Sequence, residues 1–265
     1  MLFKYCDARG IDILRNKRLK AGKIQDLNDP FELAFGIDEE TAVSKLTEEY
    51  EAKPGILKFW KRVLKNQNIS FDANSKTDII HKTAHFQVKD LNKVVNFIKN
   101  RWHSTMGVIC LTRDPSVIQM WAHYTGNHSG LVVGVEESLF VKDSRALVKV
   151  EYCKDMLLLP VTGDMRKLGE YEKHIAGLLG RKEEKWAYEN EIRLYLNLNE
   201  VNPDGNYYSD IPSDAIKEIY LGLNSKEPLL EEIRQIRSSS NLGHLKLFKM
   251  SRHPTKYKLV PDHVE

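Results

Sequence analysis

The chain opens on residues 2–6 (LFKYC), where aromatic and aliphatic side chains alternate with others at the period of a strand. Asp7 stands where it can cap a short helix whose apolar positions, Ile11, Ile13 and Leu14, lead to a turn at Asn16. Residues 23–36 (KIQDLNDPFELAFG) follow neither the helical nor the strand period. Asn28-Asp29-Pro30 marks a turn there, because proline fixes its own φ and pushes the residue before it toward an extended conformation. Phe31, Leu33 and Phe35 then alternate, which predicts a loop pinned by buried aromatics.

Residues 39–104 change character: polar, helix-prone and poor in β-branched runs. Three or four helices are expected, broken at Pro54-Gly55 and near Asn74-Ser75. In the last of them Leu91, Val94, Val95 and Ile98 recur at helical spacing. The stretch has the look of a helical insertion into a sheet-rich domain. Strands resume with MGVICLT, LVVGV (131–135) and ALVKVEY (146–152), a short helix over 116–124 and a turn at 127–130 lying between the first two. Met165 to Lys185 reads as helical. Glu191 to Leu198 (EIRLYLNL) alternates as a strand with one buried and one polar face. Strands over 216–221, 244–250 and 256–260 and a helix over 226–237 complete the pattern. Strands and helices do not alternate regularly. The expected class is therefore α+β: one domain spanning 1–265, a mostly antiparallel sheet, split or unsplit, with flanking helices and the 39–104 insertion.

Composition narrows this picture without redirecting it. With 265 residues the chain can bury a core that needs no staples. No apolar run reaches the roughly 20 residues that span a bilayer, and the N-terminus carries no secretion signal, so no membrane association is expected. Cys6, Cys110 and Cys153 are odd in number and sit in or beside apolar segments, which suits reduced thiols in a cytoplasmic location. Forty basic against 37 acidic side chains leave no global electrostatic footprint for nucleic acid. The local basic stretches, residues 15–20 and 58–65, read as solvated helix or loop faces.

The familiar phosphate-loop, zinc-protease and nucleophile-elbow signatures are absent. His81 and His85 have helical i, i+4 spacing, but no third ligand accompanies them, so no metal is expected. Two segments are richer. WAHYTGNHSG (121–130) gathers Trp121, His123 and Tyr124 before a turn with two glycines, which suits either a pocket wall gripping a flat ring or a packed helix-to-strand junction. WAYENEIR (186–193) places Glu189, Glu191 and Arg193 at alternate positions, on one face if the segment is a strand. The opposite face, Ile192, Leu194 and Leu196, already supplies the core. The charged face then either meets solvent or lines a cleft, where Glu191 would orient a hydroxyl or stabilise a cation and Arg193 would fix that carboxylate or a phosphate.

The order LFKY, NDPFE, MWAHYTGNHSGLVVGV, VEY, KWAYENEIR and IKEIYLG resembles the largely prokaryotic domain-of-unknown-function family 2971, over most of the chain outside the insertion. A first strand bearing Lys4 and Tyr5, a central His-Tyr and a late glutamate-bearing strand resemble, more distantly, the ADP-ribosyltransferase fold. That resemblance implies NAD as substrate, bound across a split antiparallel sheet. It implies Glu191, or next Glu189, as the catalytic glutamate, His123 holding ribose hydroxyls and Tyr124 stacking on nicotinamide. Trp121, Tyr5, Lys4 and Arg193 complete the implied binding set, and NDPFE receives no role.

Three functions compete on this reading. One is an NAD-dependent ADP-ribosyltransferase, a toxin or phage-defence effector acting on nucleic acid or protein. Another is a non-catalytic nucleotide or nucleic-acid binding module, in which Arg193 and the 58–65 stretch meet phosphate. The third is a partner-binding protein that docks through its helical insertion.

Overall fold

The computed structural model describes residues 1–142, 147–159, 177–198 and 201–264. The chain divides into two compact units: residues 1–30, 103–152 and 182–265 make the first, and 31–102 with 153–181 the second. The strands in chain order are β1 (Leu2–Cys6), β2 (Arg18–Lys23), β3 (Phe35–Gly36), β4 (Met106–Thr112) and β5 (Leu131–Val135). They continue with β6 (Leu147–Lys149), β7 (Glu151–Cys153), β8 (Leu157–Leu158), β9 (Arg181–Glu183) and β10 (Glu191–Asn197). The last four are β11 (Tyr207–Asp210), β12 (Ile216–Leu221), β13 (Lys246–Arg252) and β14 (Leu259–His263). The fold is α+β, with a mostly antiparallel sheet and flanking helices.

The first unit is built on a ten-stranded sheet. At its middle lies β5, whose five residues LVVGV are all buried, as a run apolar on both sides requires. β1 and β12 flank it antiparallel, β13 joins β12 in parallel, and β14 closes that end. Alternation divides the side chains between two cores. Leu2, Val133, Ile192, Leu194 and Ile219 bury on one face, and Phe3, Tyr5, Val132 and Tyr220, with Trp121 and Met250, bury on the other.

The sheet forks at β4. One edge of β4 is taken along its whole length by β10, from Glu191 opposite Thr112 to Asn197 opposite Met106. The other edge is shared: Phe3 of β1 pairs with Thr112, while Gly22 and Lys23 of β2 pair with Val108 and Gly107. Between the diverging β1 and β2 opens a cleft of about 570 Å³.

The second unit holds helices Glu39–Glu51, Leu57–Asn66 and most of Lys76–Thr105, broken where the sequence pattern places the breaks. The first of these is capped by the Asp38 carboxylate, which accepts from the Thr41 N–H. Ala42, Leu46, Tyr50, Ile80, Ala84 and Val88 form its core. Of the helical-spaced apolar set, Val95 is buried and Val94 is 54% exposed. Lys58, Lys61, Arg62 and Lys65 all face solvent, as read from the sequence. β3 and β8 pair in parallel in this unit.

Four expectations need correction. Arg15 to Lys20 is not a solvated helix or loop face throughout: Arg18 onward is β2, stabilised by its ladder with β11. Of the alternating loop residues Leu33 and Phe35 are buried, but Phe31 is 61% exposed. Within the helix expected over 165–185, residues 165–176 lie outside the described set, as does Ala146 of the strand read at 146–152. Residues 181–183 of that expected helix form β9 instead. Finally, the stretch of β10 that carries Glu191 and Arg193 has no solvated face, although Asn197 at the far end of the strand is exposed. It sits between β4 and β6, and Glu191, Ile192, Arg193 and Leu194 are all buried.

Candidate functional site

Glu189 reaches the site by a route that alternation does not predict. It is the last residue of a 3-10 helix, Glu184–Glu189, and Asn190 then adopts a left-handed conformation (φ 42°, ψ 51°), which asparagine tolerates better than most residues. The chain reverses there and enters β10 at Glu191. Glu189 and Glu191 thereby converge from two different elements on one ammonium, that of Lys182 on β9. Lys182 Nζ lies 2.6 Å from Glu189 Oε2 and 3.1 Å from Glu191 Oε2.

Arg193 completes the cluster. Its Nε donates to Glu191 Oε1 at 3.0 Å and its Nη2 to Glu191 Oε2 at 3.1 Å, a bidentate grip, while Nη1 donates to the Tyr195 hydroxyl at 3.3 Å. Exposure is 3% for Glu189, 3% for Glu191 and 0% for Arg193. Two carboxylates and two cations are neutral in sum, and only such balance makes this degree of burial tolerable. Burial alone would push the Glu191 carboxyl up, but the charges of Arg193 and Lys182 outweigh it and hold the group at about 2. Burial likewise works against the Lys182 ammonium, and the Glu191 and Glu189 charges more than offset it, raising its pKa. The Glu191 N–H donates to the Tyr152 hydroxyl of β7 at 2.8 Å. Beside it the Cys110 thiol is pushed up, by burial first and by the Glu191 charge second.

The cluster has a way out to solvent. The Tyr124 hydroxyl donates to Glu189 Oε1 at 2.5 Å and accepts from Asn28 Nδ2 at 3.0 Å. Tyr124 is half-buried and Asn28 exposed, so a chain of hydrogen bonds runs from the surface to the guanidinium. Aromatic rings surround this mouth. His123 lies 6.4 Å from Tyr124 and 6.5 Å from Tyr188 between ring centroids, Trp186 is 6.1 Å from Tyr188, and the Lys182 ammonium stands 4.9 Å over the Trp186 ring. Burial and the Glu189 charge together raise the Tyr124 pKa, so its phenol stays protonated.

The sequence-derived candidates fall in three places. Glu189, Glu191, Arg193 and Tyr124 meet in one cluster, with exposed His123 at its rim. Tyr5 and Trp121 lie in the core on the Phe3 face, their rings 5.5 Å apart. The Tyr5 hydroxyl donates to the Asp114 carbonyl at 2.9 Å and accepts from the Val117 N–H at 3.1 Å, and Trp121 Nε1 donates to the Pro115 carbonyl at 2.8 Å. Lys4 points to the opposite face from Tyr5, lines the forked cleft and donates to the Cys110 carbonyl at 3.1 Å. His81 and His85 stand on the exposed face of the helix Lys76–Thr105 with ring nitrogens 3.3 Å apart, and among the described residues no group of three metal-ligating side chains is found.

Sequence reasoning missed Lys182, Asn28, Tyr152 and the rings of Trp186 and Tyr188. The last two stood inside the WAYENEIR motif, and Asn28 inside NDPFE. Lys182 carried no signal, being read as part of a helix.

Residues 120–194, which include both motifs, match the family model described as Protein of unknown function (DUF2971). No curated protein and no solved structure matches the chain. No helix among the described residues is long and apolar enough to cross a membrane.

Proposed function

We propose that the chain is an ADP-ribosyltransferase-like enzyme that takes NAD as substrate at the Tyr124–Glu189 mouth. One observation carries this reading: a carboxylate, Glu189, is held against a buried neutral cluster and is bonded to the hydroxyl of a half-buried aromatic residue, beside further aromatic rings. Sites that stabilise a developing cation need a carboxylate fixed in a dry setting before the reaction begins. Aromatic rings at the mouth suit a flat nicotinamide.

On this reading Glu189, rather than Glu191, faces the ribose, because Arg193 already grips both oxygens of Glu191. The ligand displaces the Tyr124 hydroxyl from Glu189. The bond between ribose C1′ and the nicotinamide nitrogen then breaks, its electron pair leaving with nicotinamide. Positive charge builds on C1′ and its ring oxygen, facing the carboxylate. A nucleophile on the acceptor, protein or nucleic acid, forms the new bond at C1′ and loses its proton to solvent. Lys182 and Arg193 keep Glu191 ionised, and Lys182 holds both carboxylates in place. They are positioning residues.

The test is release of nicotinamide from NAD by the full chain, with a protein lysate and with oligonucleotides as acceptors. Turnover is expected, and Glu189→Gln should lower it by about a hundredfold or more with the fold intact by circular dichroism. A wild-type chain that neither binds nor cleaves NAD under these conditions ends the proposal.

A further inference from the structure

Arg193 is wholly buried on Glu191, so it offers nothing to a phosphate. The first unit nevertheless has a strongly basic surface elsewhere. A groove of about 700 Å³ lies between the turn at 127–128 and the loop at 253–258 that joins β13 to β14. Its lining includes His128, Asn224, Arg252, Lys256, Tyr257 and Lys258, and among the described residues no Asp or Glu. Among the described residues Arg252, Lys256 and Lys258 make no ion pair. The forked cleft differs: its Arg9 is paired with Asp7 at 2.5 Å and its Arg18 with Asp204 at 3.6 Å. Unpaired cations on one wall give a net positive potential that the near-neutral whole chain conceals.

Both walls are held in shape. In the loop, the His253 ring accepts the backbone N–H groups of Thr255 and Lys256 at 3.1 Å each, and the His253 N–H meets the Lys258 carbonyl at 3.0 Å. In the turn, Gly126, Asn127 and His128 are all left-handed, with φ of 60°, 57° and 64°. The His128 carbonyl is clamped by the Asn224 N–H at 2.8 Å, and the Asn224 amide donates to the Asn127 carbonyl at 3.0 Å. His128 Nδ1 is buried and has no hydrogen-bond partner. Burial, and then the nearby Arg252 charge, lowers the His128 pKa.

Tyr257 is the second half of the argument. It is fully exposed, at 105% of its reference area, at the tip of this ordered loop. It packs on nothing, and a large ring left in water beside three free cations is arranged for an incoming flat partner.

We propose that this groove binds single-stranded nucleic acid, with Arg252, Lys256 and Lys258 along the phosphates and Tyr257 stacked on a base. Cations beside a stacking ring are the elements of sequence-tolerant single-strand binding. An acidic peptide would satisfy the cations but leave the ring unused. The inference stands apart from the NAD reading, since no groove residue belongs to the Tyr124–Glu189 mouth.

The test uses fluorescence anisotropy of a labelled 20-nucleotide single strand against the full chain. Three backbone contacts predict a salt slope of about −2, so affinity should fall by roughly twentyfold between 50 and 200 mM salt. Tyr257→Ala should weaken binding by about tenfold, and the combined Arg252→Ala, Lys256→Ala, Lys258→Ala variant by more. All four side chains are exposed, so these variants should keep the wild-type fold, and Glu189→Gln should bind as the wild type does. The proposal is overturned by absent binding at 50 mM salt, by binding that survives the triple variant, or by equal affinity for a poly-glutamate peptide. Binding of duplex that is unmoved by Tyr257→Ala also overturns it.

Discussion

Two charged regions of the same unit are built on opposite terms. Behind Tyr124, two carboxylates and two cations are sealed from water and every charge has its counter-charge. In the 253–258 groove, cations stand in water with none. The contrast shows what burial enforces: an ion in a low-dielectric interior must be paired, whereas an ion in water can stay unpaired at little cost. It also separates two senses in which a charge is available. The groove's cations are free to meet a ligand at once. The cluster's carboxylates are committed to each other's partners, and only Glu189, through a displaceable hydroxyl, opens outward.

The sharpest way to break this comparison is to remove one arginine from each region. Arg193→Met should cost about 3–5 kcal/mol of stability, because Glu191 is left charged and buried with its bidentate partner gone. Arg252→Met should cost no more than about 0.5 kcal/mol. Urea denaturation of the pair measures both, and equal losses would erase the distinction. Acid tests the cluster next. The folded-state pKa of Glu191 is depressed from 4.5 to about 2, so its ionised form stabilises the fold above pH 4.5. That contribution, at most about 3 kcal/mol, is lost as pH falls from 4.5 toward 2. The wild type should therefore lose stability more steeply than Glu191→Gln across this window, and parallel curves would contradict the assignment. The smallest effect concerns the mouth. Tyr124→Phe removes the link between Asn28 and Glu189 and should cost about 1 kcal/mol in thermal denaturation. No change would mean that water replaces the phenol without loss.

Much of this architecture is legible in the sequence, and the failures have physical causes. LVVGV announces a strand as a short, β-branched apolar run and EIRLYLNL by its alternation, and the breaks at 54–55 and 74–75 follow from backbone chemistry. β2 is hidden because RLKAGK has a strand's geometry without a strand's composition; its ladder partners, β4 and β11, lie far along the chain. The charged alternation at Glu191 and Arg193 was visible. Its burial was not, since whether a strand's second face meets water depends on what covers it. Lys182 illustrates the limit best. One lysine among the charges of a polar, helix-prone run gives no hint that it will neutralise two glutamates seven and nine residues on.

The turn at 126–128 has a consequence for genetics. Five residues of chain, Tyr124 to His128, place Tyr124 at one surface and His128 at another. Beneath them Gly222 leaves no room, since a Cβ there would lie 2.1 Å from the His128 carbonyl oxygen. A single methyl group at position 222 must displace backbone, and a screen scoring each surface separately would record it twice.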